Sequence, residues 1–583
     1  MRIITAPCTG LLVLGLLLGG CSTSVPESGV SPVPSPADEP DTRPPKSDKP
    51  EAVRTPKAAE SPVVRAPDPL DPEEVVELTV DRIQADYRAG RYTAARLTRT
   101  FLDRIHRYEG RYNAFISLNP EALAESDSLD RLYQESGPVG PLHGVPVVIK
   151  DNMDMAGLVT TAGFEGFSGK DGGIPMIPGD DAAAVERLRK AGAVILGKTN
   201  LPDFAGHGTR TNSSVAGVTL NPYNTSKAPG GSSGGTATAV NASFAVLGLG
   251  TETGGSIQNP AAAQGLVGVK PTYGLVPLEG VVPVDATYVD VVGPLARTVR
   301  DAALTLDVIA GPTVEDPATF AAEGHIPEDG YAAGLARGSL KGKRFGLVGP
   351  GWREQFLPLA PETEAFYRKA VQAVEGLGGV VIEDPFSGSG FKEHYEARPR
   401  GGGGGSYDWL VYLQGLGPDA PFHTIEEWEA LTGESYPGWG RNRPPAAPTA
   451  TEAGDAYQAW RLELRAIFRK VLEEHELDGL LFPQAGAPVP DLVEDPERPD
   501  YNPNNHPELP SNIINALGVP VVTLPFGYYE DATPFVLAFI GRMWSEADLL
   551  AWAYDLEQAT RARVPPVLEE NPGTPGFLLP ASE

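Results

Sequence analysis

Between Pro229 and Thr272 the chain reads PGGSSGGTATAVNASFAVLGLGTETGGSIQNPAAAQGLVGVKPT, and no other stretch restricts the fold as much. Two glycine-flanked serines, Ser232 and Ser256, stand on either side of an apolar run with almost no charge. GGSSGG alone has the composition of a flexible linker. Its continuation excludes that reading. ATAVNASFAVLGLG is patterned as a buried helix followed by a buried strand, and a linker does not run through a hydrophobic core. A serine at a tight glycine turn can present its hydroxyl to a ligand while nearby backbone N–H groups stay free to stabilise an oxyanion.

The rest of the chain repeats the helix and strand pattern. Short apolar, β-rich runs occur at 145–149, 193–196, 244–249, 345–348, 479–482, 519–524 and 535–540. They are continuous rather than alternating and are separated by helical stretches such as 182–191 and 546–559, which predicts an α/β sheet covered on both faces. Thr93 reads as the N-cap of a helix over 93–106, and Ser545 with Asp548 forms a capping-box pattern for the last helix. Order is expected from Asp71, with the polar stretch 313–340 joining two halves of one fold. Residues 386–455 differ, being glycine- and proline-rich with Trp409, Tyr412, Trp428 and Trp439. They read as an insertion, either a surface excursion with its own small core or a lid facing substrate.

Composition narrows the function. A net charge of −29 argues against nucleic acid as a partner, because a phosphate backbone demands dense Lys and Arg. At the start of the chain, Arg2, the apolar run 11–20 and Leu18-Gly19-Gly20-Cys21 form the pattern of a bacterial lipoprotein signal over 1–20. The two cysteines are Cys8, inside that leader, and Cys21, the expected lipidated residue and membrane anchor. The mature chain is then exported without an intramolecular disulfide. Residues 21–70, rich in Pro, Ser and charge, read as a disordered tether, and 566–583 as a tail. Clusters of His, Cys and Asp with metal-ligand spacing are missing from the sequence, so no metal or cofactor is implied.

A series of segments resembles the amidase signature family. In order they are HGVPVVIKDNMD (143–154), AGAVILGKTNLPDF (191–204), NPYNTSKAPGGSSGG (221–235), GTETGGSIQNPAA (250–262), GLVGVKPTYGLV (265–276) and DVVGPLARTVRDAA (290–303). The likeness covers roughly 75–565 and is strongest in its first half. It implies one large α/β domain over 71–565, with a mixed central β-sheet covered by helices on both faces. It also implies a cofactor-free serine hydrolase acting on carboxylic amides, among them peptide C-terminal, fatty or aryl amides. By that resemblance Ser256 is the nucleophile, Ser232 the serine with a cis peptide bond that relays the proton, and Lys150 the base. The N–H groups of Thr253, Gly254, Gly255 and Ser256 form the oxyanion hole. Ser233 and Gln258 are carried as substrate contacts.

A lysine base must be neutral at working pH, which needs a fall of about 2.5–3 pH units from ~10.4. Burial supplies that scale. Lys150 ends the apolar run VPVVI, and Asp151, whose charge would oppose the shift, is expected to turn away or to be hydrogen-bonded elsewhere. The family often has arginine two residues after the nucleophile, where this chain has Gln258. Loss of that guanidinium disfavours substrates with a free carboxylate. Two other readings stay open. Both Ser232 and Ser233 satisfy G-x-S-x-G, so an α/β-hydrolase esterase would need one of His325, His394, His423, His475 or His506. A non-catalytic, solute-binding lipoprotein is the third. GAVILGKT (192–199) also matches a phosphate loop, but its middle reads as a buried strand whose N–H groups are already spent.

Overall fold

The computed structural model describes residues 70–170, 172–354, 357–438, 446–493 and 507–570. The leader, Cys21, the tether up to residue 69, Trp439, His506 and residues 571–583 lie outside the described residues.

Strands form where the continuous apolar runs lie, and at several places where the pattern is weaker. In chain order they are β1 (Phe115–Leu118), β2 (Pro146–Lys150), β3 (Val194–Thr199), β4 (Asn212–Ser213), β5 (Gly217–Val218), β6 (Leu247–Glu252) and β7 (Val267–Lys270). They continue with β8 (Val291–Ala296), β9 (Arg344–Leu347), β10 (Val380–Ile382), β11 (Gly479–Pro483), β12 (Val521–Tyr528) and β13 (Pro534–Ile540). β4 and β5 pair only with each other. The other 11 form one mixed sheet in the order β1-β3-β2-β6-β8-β7-β12-β13-β11-β9-β10. β3, β2 and β6 run parallel, as do β11, β9 and β10, with antiparallel pairs between these blocks. The pairing of Val521 with Lys270 stitches the two halves into a single sheet across the 313–340 connection.

β2, β3, β6 and β8 are buried at every position. Successive side chains of a strand point to opposite faces, so unbroken burial means that both faces are covered. The helix Gly234–Asn241 packs on β6 and β2 directly after the first serine motif, as the apolar pattern requires.

The first capped turn begins at Asp71, which accepts from Glu73 N and forms a capping box with Glu74. Thr93 caps the helix Ala94–Tyr112 by accepting from Arg96 N. Ser545 does not cap its helix: the hydroxyl turns back and donates to the Arg542 carbonyl at 2.8 Å. The start of Glu546–Thr560 is held instead by Glu546, whose carboxylate accepts from Thr272 N at 2.6 Å. The expected end at 565 falls short of the packed chain. Beyond it, Glu569 N donates to Tyr112 Oη at 2.8 Å.

The aromatic residues of the 386–455 insertion form a second core. Trp409, Tyr412, Trp428 and Tyr436 pack with Phe167, Phe204 and Met176. Phe167 lies 6.0 Å from Trp409 and 5.8 Å from Trp428, ring centre to ring centre. These rings cover one another, which accounts for their clustering in the sequence, and among the described residues Trp409, Tyr412, Trp428 and Tyr436 are all buried.

Candidate active site

Three chain segments meet at the carboxyl ends of β2 and β6. Lys150 is the last residue of β2, Thr251 and Glu252 end β6, and the loop before the helix Gly234–Asn241 brings Ser232 across from the other side. The peptide bond between Gly231 and Ser232 is cis. Lys150 Nζ lies 2.7 Å from Ser232 Oγ and donates to Thr251 Oγ1 at 2.8 Å. Asn152 Nδ2 also donates to Thr251 Oγ1, at 3.0 Å, so this hydroxyl fixes the lysine from behind.

Lys150 and Ser232 are both 0% exposed, whereas Ser256 keeps 8%. The difference orders them: of the three, Ser256 alone keeps exposed surface, with Ser232 and Lys150 behind. The two serine loops are joined through Ser233 N, which donates to Ser256 O at 3.2 Å.

Burial brings Lys150 down to about 7, against the opposing charges of Asp290 and Glu252. The amine therefore has a free lone pair at neutral pH and, at 2.7 Å, can take the Ser232 proton. Asp151 does not act on the lysine at close range. Its carboxylate pairs with Lys198 Nζ at 2.8 Å, both fully buried, and accepts from Thr161 N at 3.1 Å. Lys198, the lysine of the phosphate-loop-like motif, is consumed in that pair and donates to Thr160 Oγ1 at 2.7 Å. The motif is strand β3 and cradles nothing.

The turn after β6 carries the four expected donors. Among the described residues, no protein acceptor pairs with the N–H groups of Thr253, Gly254, Gly255 or Ser256. Four free donors beside an accessible serine suit an oxyanion. Two features hold the turn. Thr253 Oγ1 donates to Asp290 Oδ1 at 2.5 Å, while Asp290 Oδ2 accepts from Val284 N and Asp285 N. Burial pushes Asp290 up to about 7. Gly255 has φ +108, and a Cβ there would lie 2.5 Å from Ser511 Oγ. Only glycine fits that combination.

Two expected substrate contacts are corrected. Gln258 is 0% exposed, and its Nε2 donates to Glu252 Oε1 at 2.6 Å. Glu252 Oε2 also accepts from Ile257 N and Gln258 N, so position 258 completes the inner support of the turn. Ser233 is likewise fully buried, its hydroxyl donating to Thr251 O at 3.2 Å. It is the residue that opens the helix, and its side chain points into the sheet. Sequence reasoning missed Thr251, Asn152, Glu252 and Asp290. Thr251 and Glu252 were visible only as polar residues inside TETGGS, and Asp290 as the acid that opens DVVGP.

The downstream histidines that an α/β-hydrolase triad would need are engaged elsewhere. His394 Nε2 meets the Trp460 carbonyl, His423 Nε2 the Gly417 carbonyl, and His325 stacks on Trp544. His475 closes the helix Glu452–Glu474. A Ser-His-Asp arrangement is therefore not assembled from them among the described residues.

Comparison with known proteins agrees with this geometry. The family model described as Amidase matches residues 96–550. A glutamyl-tRNA(Gln) amidotransferase subunit from Alkaliphilus metalliredigens is 34% identical over 498 residues, covering 83% of this chain and 96% of that protein. The crystal structure of native peptide amidase from Stenotrophomonas maltophilia superposes with a TM-score of 0.68 at 33% identity, covering 85% of this chain and 99% of that one. An amidase family protein from Bacillus anthracis gives 0.66 at 26% identity, with 85% and 94% covered.

Proposed function

The chain belongs to the amidase signature family, enzymes acting on amide C–N bonds, and from that premise we propose that it hydrolyses neutral carboxylic amides through Ser256, Ser232 and Lys150. The observation that carries this reading is the 2.7 Å contact between a fully buried Lys150 and Ser232, set behind the accessible Ser256. Neutral Lys150 takes a proton from Ser232 as Ser232 takes one from Ser256. Ser256 Oγ attacks the carbonyl carbon, and the carbonyl oxygen becomes an oxyanion facing the N–H groups of 253–256. Return of the proton through Ser232 lets the amine depart, leaving an ester on Ser256. Water, deprotonated by the same relay, then releases the acid.

The proposed substrate is uncharged near the scissile bond. The groups that act electrostatically on Lys150 are two carboxyls, Asp290 and Glu252, so a substrate carboxylate would add to an acidic site. Gln258 is buried against Glu252. The likeness to peptide amidase favours a peptide-like amide, among them a peptide C-terminal amide. Export and lipid attachment at Cys21 are part of the proposal and rest on the leader pattern alone.

A fluorophosphonate should label Ser256 and no other serine, and a panel of amides differing only in a terminal carboxylate or carboxamide should favour the carboxamide in kcat/KM. Labelling of Ser232 or Ser233 would remove Ser256 as nucleophile. A tenfold preference for the carboxylate, ~1.4 kcal/mol in the transition state, would place a cation in the pocket and reverse the substrate choice.

A further inference from the structure

Away from the serine loops, a groove of about 430 Å³ runs between the helix Glu452–Glu474 and the segment after β13. Its wall includes Leu462, Leu517 and Val519, and three guanidinium groups border it, those of Arg465, Arg469 and Arg542. Such a concentration of arginine stands out on a chain with a net charge of −29.

The arginines are poorly neutralised. Among the described residues neither Arg465 nor Arg542 has a carboxylate within 4.0 Å, and Arg469 reaches Glu473 only at 3.8 Å on the open surface. Arg465 spends Nε on the Leu517 carbonyl at 2.7 Å, and Arg542 spends Nη2 on the Leu477 carbonyl at 2.9 Å. The neighbouring Arg461, 3% exposed, spends Nε on the Ala516 carbonyl at 2.8 Å. The Nη2 atoms of Arg461 and Arg465 are both buried and have no hydrogen-bond partner. They converge on Gly518: a Cβ there would lie 2.6 Å from Arg465 Nη2 and 3.4 Å from Arg461 Nη2. Arg461 is faced by the Tyr273 and Tyr288 rings at 5.5 and 5.8 Å and by the charge of Asp285, whereas burial together with the charge of Arg461 pulls Arg465 down to about 10.

The exposed side of the groove is apolar. Leu462 is 62% exposed at its lip, where a soluble surface ordinarily places a polar residue. The volume falls within the ~300–1,000 Å³ of small-molecule sites. A ligand that answers both features has a compact anionic head and an apolar tail.

We propose that this groove binds an amphiphilic carboxylate, its head held by Arg465 and Arg542 and its tail laid along Leu462, Leu517 and Val519. A carboxylate has two oxygens and can accept one charge-assisted hydrogen bond from each of the two guanidinium groups. None of these residues belongs to the proposed catalytic machinery, and the site does not depend on the amidase mechanism.

Calorimetric titration of the full-length protein with decanoate and with decanol tests it. Decanoate should bind one per chain, at least tenfold more tightly than decanol. The double variant Arg465→Gln/Arg542→Gln should lose at least tenfold in decanoate affinity, or ~1.4 kcal/mol, while amide hydrolysis is unchanged. Should that variant fail to fold, Leu462→Glu, altered only at the exposed lip, must still weaken decanoate by repulsion. Equal affinity for decanoate in all proteins, or equal binding of decanol and decanoate, overturns the proposal. So does loss of adsorption to phosphatidylglycerol vesicles in the double variant without any decanoate binding by the wild type, which would make the groove a membrane contact. Failure of fluorophosphonate labelling at Ser256 would undo the hydrolytic mechanism and leave these outcomes untouched.

Discussion

Replacing Lys150 with Met separates what the lysine costs the fold from what it gives the reaction. Methionine keeps the length and apolar stem while removing the amine. In the unfolded chain the lysine has its ordinary value of 10.5, and in the folded protein burial brings it to about 7. Between those values the unfolded state binds the extra proton, so stability rises with pH across this window. At ~1.36 kcal/mol per pH unit, the full difference corresponds to ~5 kcal/mol, of which about 3–4 kcal/mol is recovered between pH 7 and pH 10. Lys150→Met removes that dependence. It also leaves Ser232 Oγ without the amine, at about 1–3 kcal/mol for a buried group left unsatisfied, while Thr251 Oγ1 keeps its bond from Asn152 Nδ2. The wild type should therefore gain about 3–4 kcal/mol of stability relative to the variant between pH 7 and pH 10. Urea denaturation of both proteins at pH 7, 8, 9 and 10 measures the difference. In parallel, wild-type kcat/KM should fall about tenfold per pH unit below 7 as the amine protonates, and the variant should lose at least ~10³-fold at every pH. A stability difference that stays flat from pH 7 to 10 would mean that Lys150 is charged in the native protein, and the general-base role would fail with it.

Three further substitutions probe the surroundings. Gly255→Ala places a Cβ 2.5 Å from Ser511 Oγ at φ +108, and should lower kcat by about 10²–10³ with little change in KM, measured by steady-state kinetics. Asp151→Asn leaves the Lys198 ammonium buried without its partner, and should destabilise the fold by about 3–5 kcal/mol in urea titrations at pH 7. Tyr412→Phe removes the 2.9 Å hydrogen bond from the insertion to Asp154, and should cost about 1–2 kcal/mol of stability while leaving kcat within about twofold.

The fold was legible where hydrophobic pattern alone decides it. Continuous apolar runs at 145–149, 244–249 and 535–540 became β2, β6 and β13, because a strand covered on both faces needs no polar alternation. Short strands such as β7 and β10 escaped notice. β7 has four residues and ends in a buried lysine, Lys270, whose ammonium donates to the Val519 carbonyl at 2.9 Å. That carbonyl, just ahead of β12, and the Pro271 carbonyl at 2.8 Å make the lysine acceptable in a core. The capping pattern at Ser545 misled for a related reason. A hydroxyl can serve the helix or the preceding turn, and here the Arg542 carbonyl, fixed by the end of β13, takes it.

At the site, the residues that touch the reacting atoms were readable because their chemistry requires particular types at particular turns. Those that hold them were not. Gln258 illustrates the boundary. From the sequence it is a neutral residue where relatives of the family often have a cation, which suggests a lost contact with substrate. In space its neighbour is Glu252, reached from within the same turn at 2.6 Å. Burial decides between the two readings, since a side chain with no exposed surface cannot select among substrates by direct contact. What position 258 can do is fix the charge and geometry of Glu252, one of the two carboxyl groups that oppose the lowering of Lys150. Residue 258 therefore acts on the reaction through the lysine, along the path Gln258, Glu252, Lys150.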